Sequence, residues 1–570
     1  MPLIRTVEGG KLLSDLDPRS AGVKNCTRRV NIRRDDDAEI LMPGWKAFGD
    51  DLAGVVHIHR ATRPNGDRAV LAFTQTAIYR KVGDSWTLLE DGFSSSRDWE
   101  AVDIDGYVVV NNGIDLPHIW DWITMEPIYE MREQGIARCG TMFAAYDFLI
   151  FADVTDIIAT ELKDWMSREE DVDPYGPDLP GSILTNTPFR VLWTSRPKEW
   201  GISLRARLQA GSNEMILDFP AKSLKAGDTV NFIETEPDED TVTAQFTEVE
   251  IEEVDGVRVY LKGKIAAVNS TGILTRSNVS SLIIGYDDLQ GDGSTIIKMG
   301  MLAGNLVAFR ESAILLGRLS NSAQAPFAFQ EAYRGLAAPT AKKLIVPMGQ
   351  RSIFYYSRDG WFEFNLNSAK PQRLEPFEVN GQLFTGLDEE SSFAVHVSPD
   401  QEIWIFLPDR TVVYDYQSQV IGEVDSVFSA AAIVDGITDA SRILVLADDD
   451  RVNELDPKTF TRNGEEYIGT LEYGWIGDPG GDMRDTLMRR YIPQGVGQVL
   501  FSLESIRSGS ETFRSILTDR SLGLGIAVQF YSRGQWFRET LKIEDGETRL
   551  IGRELDYYTS HNRVRGYGAS

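Results

Sequence analysis

The chain has 570 residues, too many for one ordinary compact core, and 42% of them are hydrophobic, which excludes wholesale disorder. Its formal net charge of −28 excludes the Lys- and Arg-rich surface with which a protein grips duplex DNA. An acidic conduit past which DNA slides without sticking stays compatible with that balance.

Residues 1–50 read as an extended N-terminal arm. Pro18, the Arg28-Arg29 and Arg33-Arg34 pairs and the run Asp35-Asp36-Asp37 break any helical periodicity, and the acidic run reads as a solvated turn. The opening Met1-Pro2-Leu3-Ile4-Arg5 lacks the basic and apolar regions of a signal peptide. Nothing in the sequence reaches the roughly 18 uninterrupted apolar residues of a membrane span.

From residue 51 to 204 short apolar runs follow one another. Ala69–Phe73, Ala77–Arg80 and Trp86–Leu89 are three successive strands, the last two separated by Gly83-Asp84. Val102–Ile104 meets Tyr107–Val110 across Asp105-Gly106, a hairpin signal because both central positions need positive φ. A helix is expected only at Ala159–Arg168, where Glu161, Leu162 and Trp165 stand at helical spacing. Residues 205–280 interrupt the rhythm as an inserted acidic β domain. No Lys or Arg occurs from Ala226 to Val257, and Glu248, Glu250 and Glu252 alternate on one strand before the Asp255-Gly256 turn. The rhythm resumes over 281–460, with Ser352–Tyr356 folding back on Trp361–Phe364, and with the meander Phe393–Val397, Glu402–Leu407 and Thr411–Tyr416. Residues 461–570 read as a C-terminal β domain, with strands at Val499–Leu503, Ile526–Tyr531 and Trp536–Leu541.

Units of three or four short strands at roughly 40-residue spacing are the mark of propeller blades, because one small twisted sheet cannot bury both faces by itself. The fold expected is therefore all-β: a β-propeller of about six or seven blades with an inserted β domain and a C-terminal β domain. A pair of β-sandwiches would give similar strand statistics.

Chemistry-bearing motifs are sparse. His57 and His59 share a strand face but have no third ligand nearby in sequence, so a packing role is favoured over a metal. Asp287-Asp288-Leu289-Gln290-Gly291-Asp292-Gly293 is the best calcium candidate, although it lacks EF-hand spacing; the alternative is an exposed inter-strand loop. Cys26 and Cys139 read as reduced thiols. Neither a nucleophile elbow nor a phosphate-binding glycine loop is present. Ser357-Arg358-Asp359-Gly360-Trp361 faintly resembles the Asp-box turn of sialidases, which stabilises blades and does not catalyse. Trp120, Trp122 and Trp361 read as blade core, with sugar platforms the alternative. No catalytic residue, metal or cofactor is expected.

The order of these pieces resembles the tail nozzle proteins of short-tailed bacteriophages, which are related in architecture to tail proteins that stabilise packaged DNA. The resemblance is carried by Gly9-Gly10, Cys26–Asn31 and Leu41–Trp45 as an entry into the propeller. Tyr107–Asp115, Leu302–Ser312 continuing to Pro326–Phe329, and Asp359–Phe364 carry it further as blade hairpins. It implies a virion tail protein, synthesised in the host cytoplasm, that forms a homo-oligomeric ring, a hexamer, below the portal and adaptor proteins. Tail fibres or other tail proteins would dock on it, and genomic DNA would pass through its centre without sequence-specific binding. On that reading Glu248, Glu250 and Glu252 line the DNA channel, where carboxylates repel phosphate; the alternative is an outward, solvated face. The competing functions are a propeller enzyme acting on glycans and a carbohydrate- or receptor-binding module.

Overall fold

The computed structural model describes residues 3–6, 26–35, 38–168, 173–195, 203–208, 211–218, 220–234, 245–263, 269–276, 284–320, 322, 325–349, 351–368, 370–385, 387–435, 442–473, 475–477, 486–506, 512–534 and 536–559. The chain is all-β, organised as multiple antiparallel sheets and one closed six-stranded barrel. Seven of the sheet units are built on four-stranded antiparallel meanders, six of them in chain order. Their first strands are His57–Thr62, Glu100–Ile104, Ile136–Ala145, Ile296–Leu302, Ile345–Met348, Phe393–Val397 and Ala430–Asp435. Each first strand packs beside the next, and the seventh returns to the first.

Both faces of each sheet are buried, and this explains the unbroken apolar runs of the sequence. In the second sheet Val108 and Val110 pack with Leu71 and Phe73 of the first, whereas Val109 packs with Met142 and Phe151 of the third. The alternation recurs along the chain. Trp404 and Phe406 join Leu444 and Leu446 of the seventh sheet, while Ile403 and Ile405 join Phe354 and Trp361 of the fifth. Val434, Val445 and Ala447 of the seventh sheet then pack with Ile58 and Ala72 of the first. The Asp105-Gly106 turn has the positive φ at both positions that its sequence predicts, 48° and 79°.

The seventh sheet takes its fourth strand from the N-terminal arm. Gly44–Ala47 pairs with Val452–Asp456 and sets Trp45 opposite Leu455. Gly44 is required there, since a Cβ would lie 2.0 Å from the Thr461 carbonyl oxygen. Earlier in the arm, Cys26–Val30 lies between the outer strand of the sixth sheet, Val420–Val424, and Gly469–Tyr473 of the C-terminal region. The hairpin Ile32–Asp35/Ala38–Leu41 pairs with Arg549–Thr559. The described strands of the arm join the sheet ring to the C-terminal sheets.

The barrel is formed by Ser203–Leu208, Glu214–Leu217, Thr229–Glu234, Gln245–Asp255, Arg258–Leu261 and Ser270–Arg276. It is inserted between Leu184–Thr194 and Ile284–Asp288, which pair directly as the last two strands of the third sheet. Its interior is filled by Leu204, Met215, Val230, Phe232, Ile251, Val259 and Leu274, so it is a packed core. The helix Ala159–Arg168 stands where its spacing predicts. The short helices Tyr129–Glu133 and Glu375–Glu378 carry too few turns for a periodic signal.

Candidate functional site: the central cavity and the acidic barrel face

The first strands surround a cavity of about 1350 Å³ whose lining comes from all seven sheet units or the segments leading into them. Its charged groups converge from distant parts of the sequence. Lys342 and Lys343 lie in the turn before the fifth sheet, Lys298 on the first strand of the fourth, and Arg97, Asp98 and Glu100 at the entry to the second. Lys342 Nζ stands 3.1 Å from Asp98 Oδ2 and 3.4 Å from Glu100 Oε1, and donates to the Gly140 carbonyl at 2.6 Å. Glu100 is held from its other side by the Thr141 hydroxyl at 3.0 Å and the Met142 N–H at 2.7 Å. Burial pulls the Lys342 ammonium down, but Glu100 and Asp98 more than offset it, and its pKa ends above the usual lysine range. Asp98 is shifted below the carboxylate range: burial opposes this, and Lys342 and Lys343 outweigh it.

His57 opens the first strand of the first sheet at the same cavity, its ring 5.2 Å from that of Phe73. Burial, reinforced by His59 and Lys343, pushes its pKa down to about 3, so the imidazole is neutral at physiological pH. His59 instead pairs with Asp103, Nε2 to Oδ1 at 2.8 Å. His57 packs on Phe73 and His59 hydrogen-bonds with Asp103, and among the described residues no three His, Cys, Asp or Glu side chains are grouped to hold a metal.

In the calcium-candidate loop Asp288 and Asp292 already have cationic partners. Asp292 lies 3.2 Å from Arg310 and 2.9 Å from Arg334 and also accepts from Ser294 and Ser312, while Asp288 receives Arg190 at 2.7 Å. Serine hydrogen bonds hold Asp292 well below the usual carboxylate range. Of the acidic arm run, Asp35 pairs with Arg549 at 2.7 Å, and Asp36 and Asp37 lie outside the described residues. Cys26 and Cys139 are free and buried. Trp120 and Trp122 stack at 4.8 Å in the interface of the first and second sheets, and Trp361 stacks on Phe354 at 5.0 Å. All three are buried core residues, so they offer no sugar platform.

Glu248, Glu250 and Glu252 are all exposed on the barrel strand Gln245–Asp255, while Val249 and Ile251 between them face the barrel core. The face meets water, as the cost of burying unpaired carboxylates demands. Glu250 is engaged by Lys262 at 2.9 Å.

The central cluster was not visible to sequence reading because its members lie up to 246 residues apart. One local signal was present: Lys298 interrupts the apolar run Ile296-Ile297-Lys298-Met299 of an inner strand.

No protein-family model matches the chain, and no curated protein matches its sequence. Among solved structures, the chain is similar to a streptogramin B lyase at 9% identity and a TM-score of 0.31, over 72% of this chain and 97% of that one. It is also similar to Kluyveromyces lactis Hsv2 at 9% identity and a TM-score of 0.23, over 65% of this chain and 97% of that one. Superpositions this loose assign neither a fold nor an activity.

Proposed function

We propose that this chain is a non-catalytic structural protein of a short-tailed phage tail. On this reading it is a nozzle-type protein built on a seven-bladed β-propeller, and its copies form a ring below the portal and adaptor that retains packaged DNA and conducts it during ejection. The observation that carries the reading is the order of parts: a stitched N-terminal arm, a cyclic series of sheets, a barrel spliced into the third sheet, and a C-terminal pair of sheets. That is the plan the sequence resemblance implies. The cyclic packing of the first strands supports the propeller in particular, since two sandwiches would leave each sheet one solvated face.

The cavity of a single chain is not the DNA path in this proposal. It is crossed by the Lys342 ion pairs, whereas the major groove of a duplex alone is about 12 Å wide. The conduit is therefore formed between copies, with Glu248, Glu250 and Glu252 on the surface turned to it. Each carboxylate there repels phosphate at close range and keeps the DNA mobile.

The test is the mass and shape of the purified full chain, by light scattering and electron microscopy, alone and with the portal-adaptor assembly. Closed rings of about six copies, with a central opening wide enough for a duplex, are the expected result. A chain that stays monomeric alone and with the assembly overturns the proposal. Turnover of a bacterial surface polysaccharide, abolished by one carboxylate substitution, would replace it with the glycan-active reading.

A further inference from the structure

One end of the central cavity carries a cationic excess that the proposed tail function does not use, while the rest of the lining is acidic, with Asp388, Asp448, Asp449, Asp450 and Glu465 against Arg451 and Arg462. Where the second, fourth and fifth sheets meet, four cations, Arg97, Lys298, Lys342 and Lys343, line it against two carboxylates, Asp98 and Glu100. Both carboxylates make their ion pairs with Lys342, and Asp98 also acts on Lys298 and Lys343 from beyond ion-pair distance. Lys298 has one hydrogen bond, to the Ile345 carbonyl at 2.9 Å, and Lys343 has one, to the Arg97 carbonyl at 2.6 Å. Neither forms an ion pair with a carboxylate among the described residues. An ammonium has three donors, so each retains two for a ligand. The Arg97 side chain is exposed at the same cavity and offers a planar fork of donors.

We propose that this cationic end of the central cavity is a binding site for a small oxyanion of the phosphate class, held by Arg97, Lys298 and Lys343, with Lys342 and its carboxylates bracing the floor. The anion supplies the counter-charge that partly buried ammonium groups lack, and charge-assisted hydrogen bonds to it are stronger than neutral ones. Burial shifts both the Lys298 and the Lys343 amines below the ordinary lysine range, as expected for ammonium groups short of a counter-ion. The cavity, about 1350 Å³, has space for more than a bare phosphate, so the phosphoryl group of a sugar phosphate is accommodated as readily.

Calorimetric titration of the full chain in low-salt chloride buffer tests the site, with inorganic phosphate in one arm and glucose 6-phosphate in the other. One equivalent per chain is expected in at least one arm, and the stronger arm tells free phosphate from a phosphomonoester. Lys343→Gln and Arg97→Gln are each expected to weaken binding at least tenfold. Arg97→Gln removes only an exposed side chain and leaves intact the backbone carbonyl that Lys343 uses, so it keeps the test valid if the lysine variant fails to fold. Absence of binding in both arms, or unchanged affinity in folded Arg97→Gln protein, overturns the proposal.

Discussion

Lys342 and Glu100, 242 positions apart in the sequence, form an ion pair across the middle of the sheet ring, Nζ to Oε1 at 3.4 Å. The residues belong to the entries of the fifth and second sheets, three places apart in a cycle of seven. Together with the hydrogen bonds of Lys343 to the Arg97 carbonyl and of Lys342 to the Gly140 carbonyl, this ion pair ties together units that are not neighbours in the cycle.

Lys342→Met is therefore expected to lower the melting temperature of the sheet ring, with a loss of about 2 kcal/mol. That is less than the 3–5 typical of a fully buried pair, because Asp98 is half-exposed. Glu100→Gln alone costs a similar amount, and the double variant less than the sum, since the two act on one interaction. Melting curves of the three variants that add without coupling would show that the ion pair does not brace the ring.

A second buried network fastens the C-terminal sheets. Arg553 meets Glu539 at 2.6 Å with both side chains almost wholly buried, and the Arg553 guanidinium lies 3.4 Å from the centre of the Tyr473 ring. Arg29 of the N-terminal arm meets Glu39 at 2.5 Å, equally buried. Arg553→Met strands the Glu539 carboxylate and is expected to destabilise the C-terminal sheets by about 3–5 kcal/mol, while Arg553→Met with Glu539→Leu recovers most of the loss. Urea unfolding followed by tryptophan fluorescence distinguishes the outcomes; a double variant as weak as the single one contradicts the account.

The strands and turns of the ring were legible because their signals are local. Val108-Val109-Val110 announces a strand buried on both faces, and Asp105-Gly106 announces the turn before it. The helix at Ala159–Arg168 was legible for the same reason. What escaped was set by closure. Nothing near Gly44–Ala47 says that it completes a sheet begun at Ala430, or that Cys26–Val30 joins two sheet systems. The central cluster escaped likewise, since Lys298, Lys342 and Asp98 are neighbours only once the ring has closed. The acidic strand at Glu248–Glu252 was legible as a solvent-facing row, and its relation to DNA rests on the assembly.

Glu402 gives a pH prediction with a definite sign. Its carboxyl is buried, accepts from Trp404 Nε1 at 2.8 Å, and is raised to about 7 by burial, with Arg33 opposing and Asp400 and Asp415 adding to the rise. The folded chain therefore holds a proton that the unfolded chain releases near pH 4.5, the ordinary value. Stability from this group is fully present below about 4.5 and is lost as pH rises through about 7. Glu402→Gln, which mimics the protonated form, should match the wild type at pH 4.5 and exceed it at pH 8 by about 2 kcal/mol. Equal melting temperatures at pH 8 would show that the carboxyl is ionised in the folded chain at little cost.

The last prediction concerns Glu248, Glu250 and Glu252. All three are exposed on one barrel strand, and Val249 and Ile251 between them anchor that strand in the barrel core. Replacing the three glutamates by lysine therefore leaves the core untouched. It removes the surface ion pair of Glu250 with Lys262, worth at most about 1 kcal/mol. On the proposed tail function, the triple variant is expected to fold and to assemble into particles. If the row faces the DNA path, each substitution turns repulsion of phosphate into attraction. Genome ejection then slows, and the slowing is steepest at low salt, because attraction to phosphate weakens with the logarithm of salt concentration. Ejection is followed by dye uptake on released DNA across a salt series, with the single variants as a graded set. A triple variant that assembles and ejects at the original rate at low salt places this face on the outside of the proposed ring, exposed to solvent and away from the DNA.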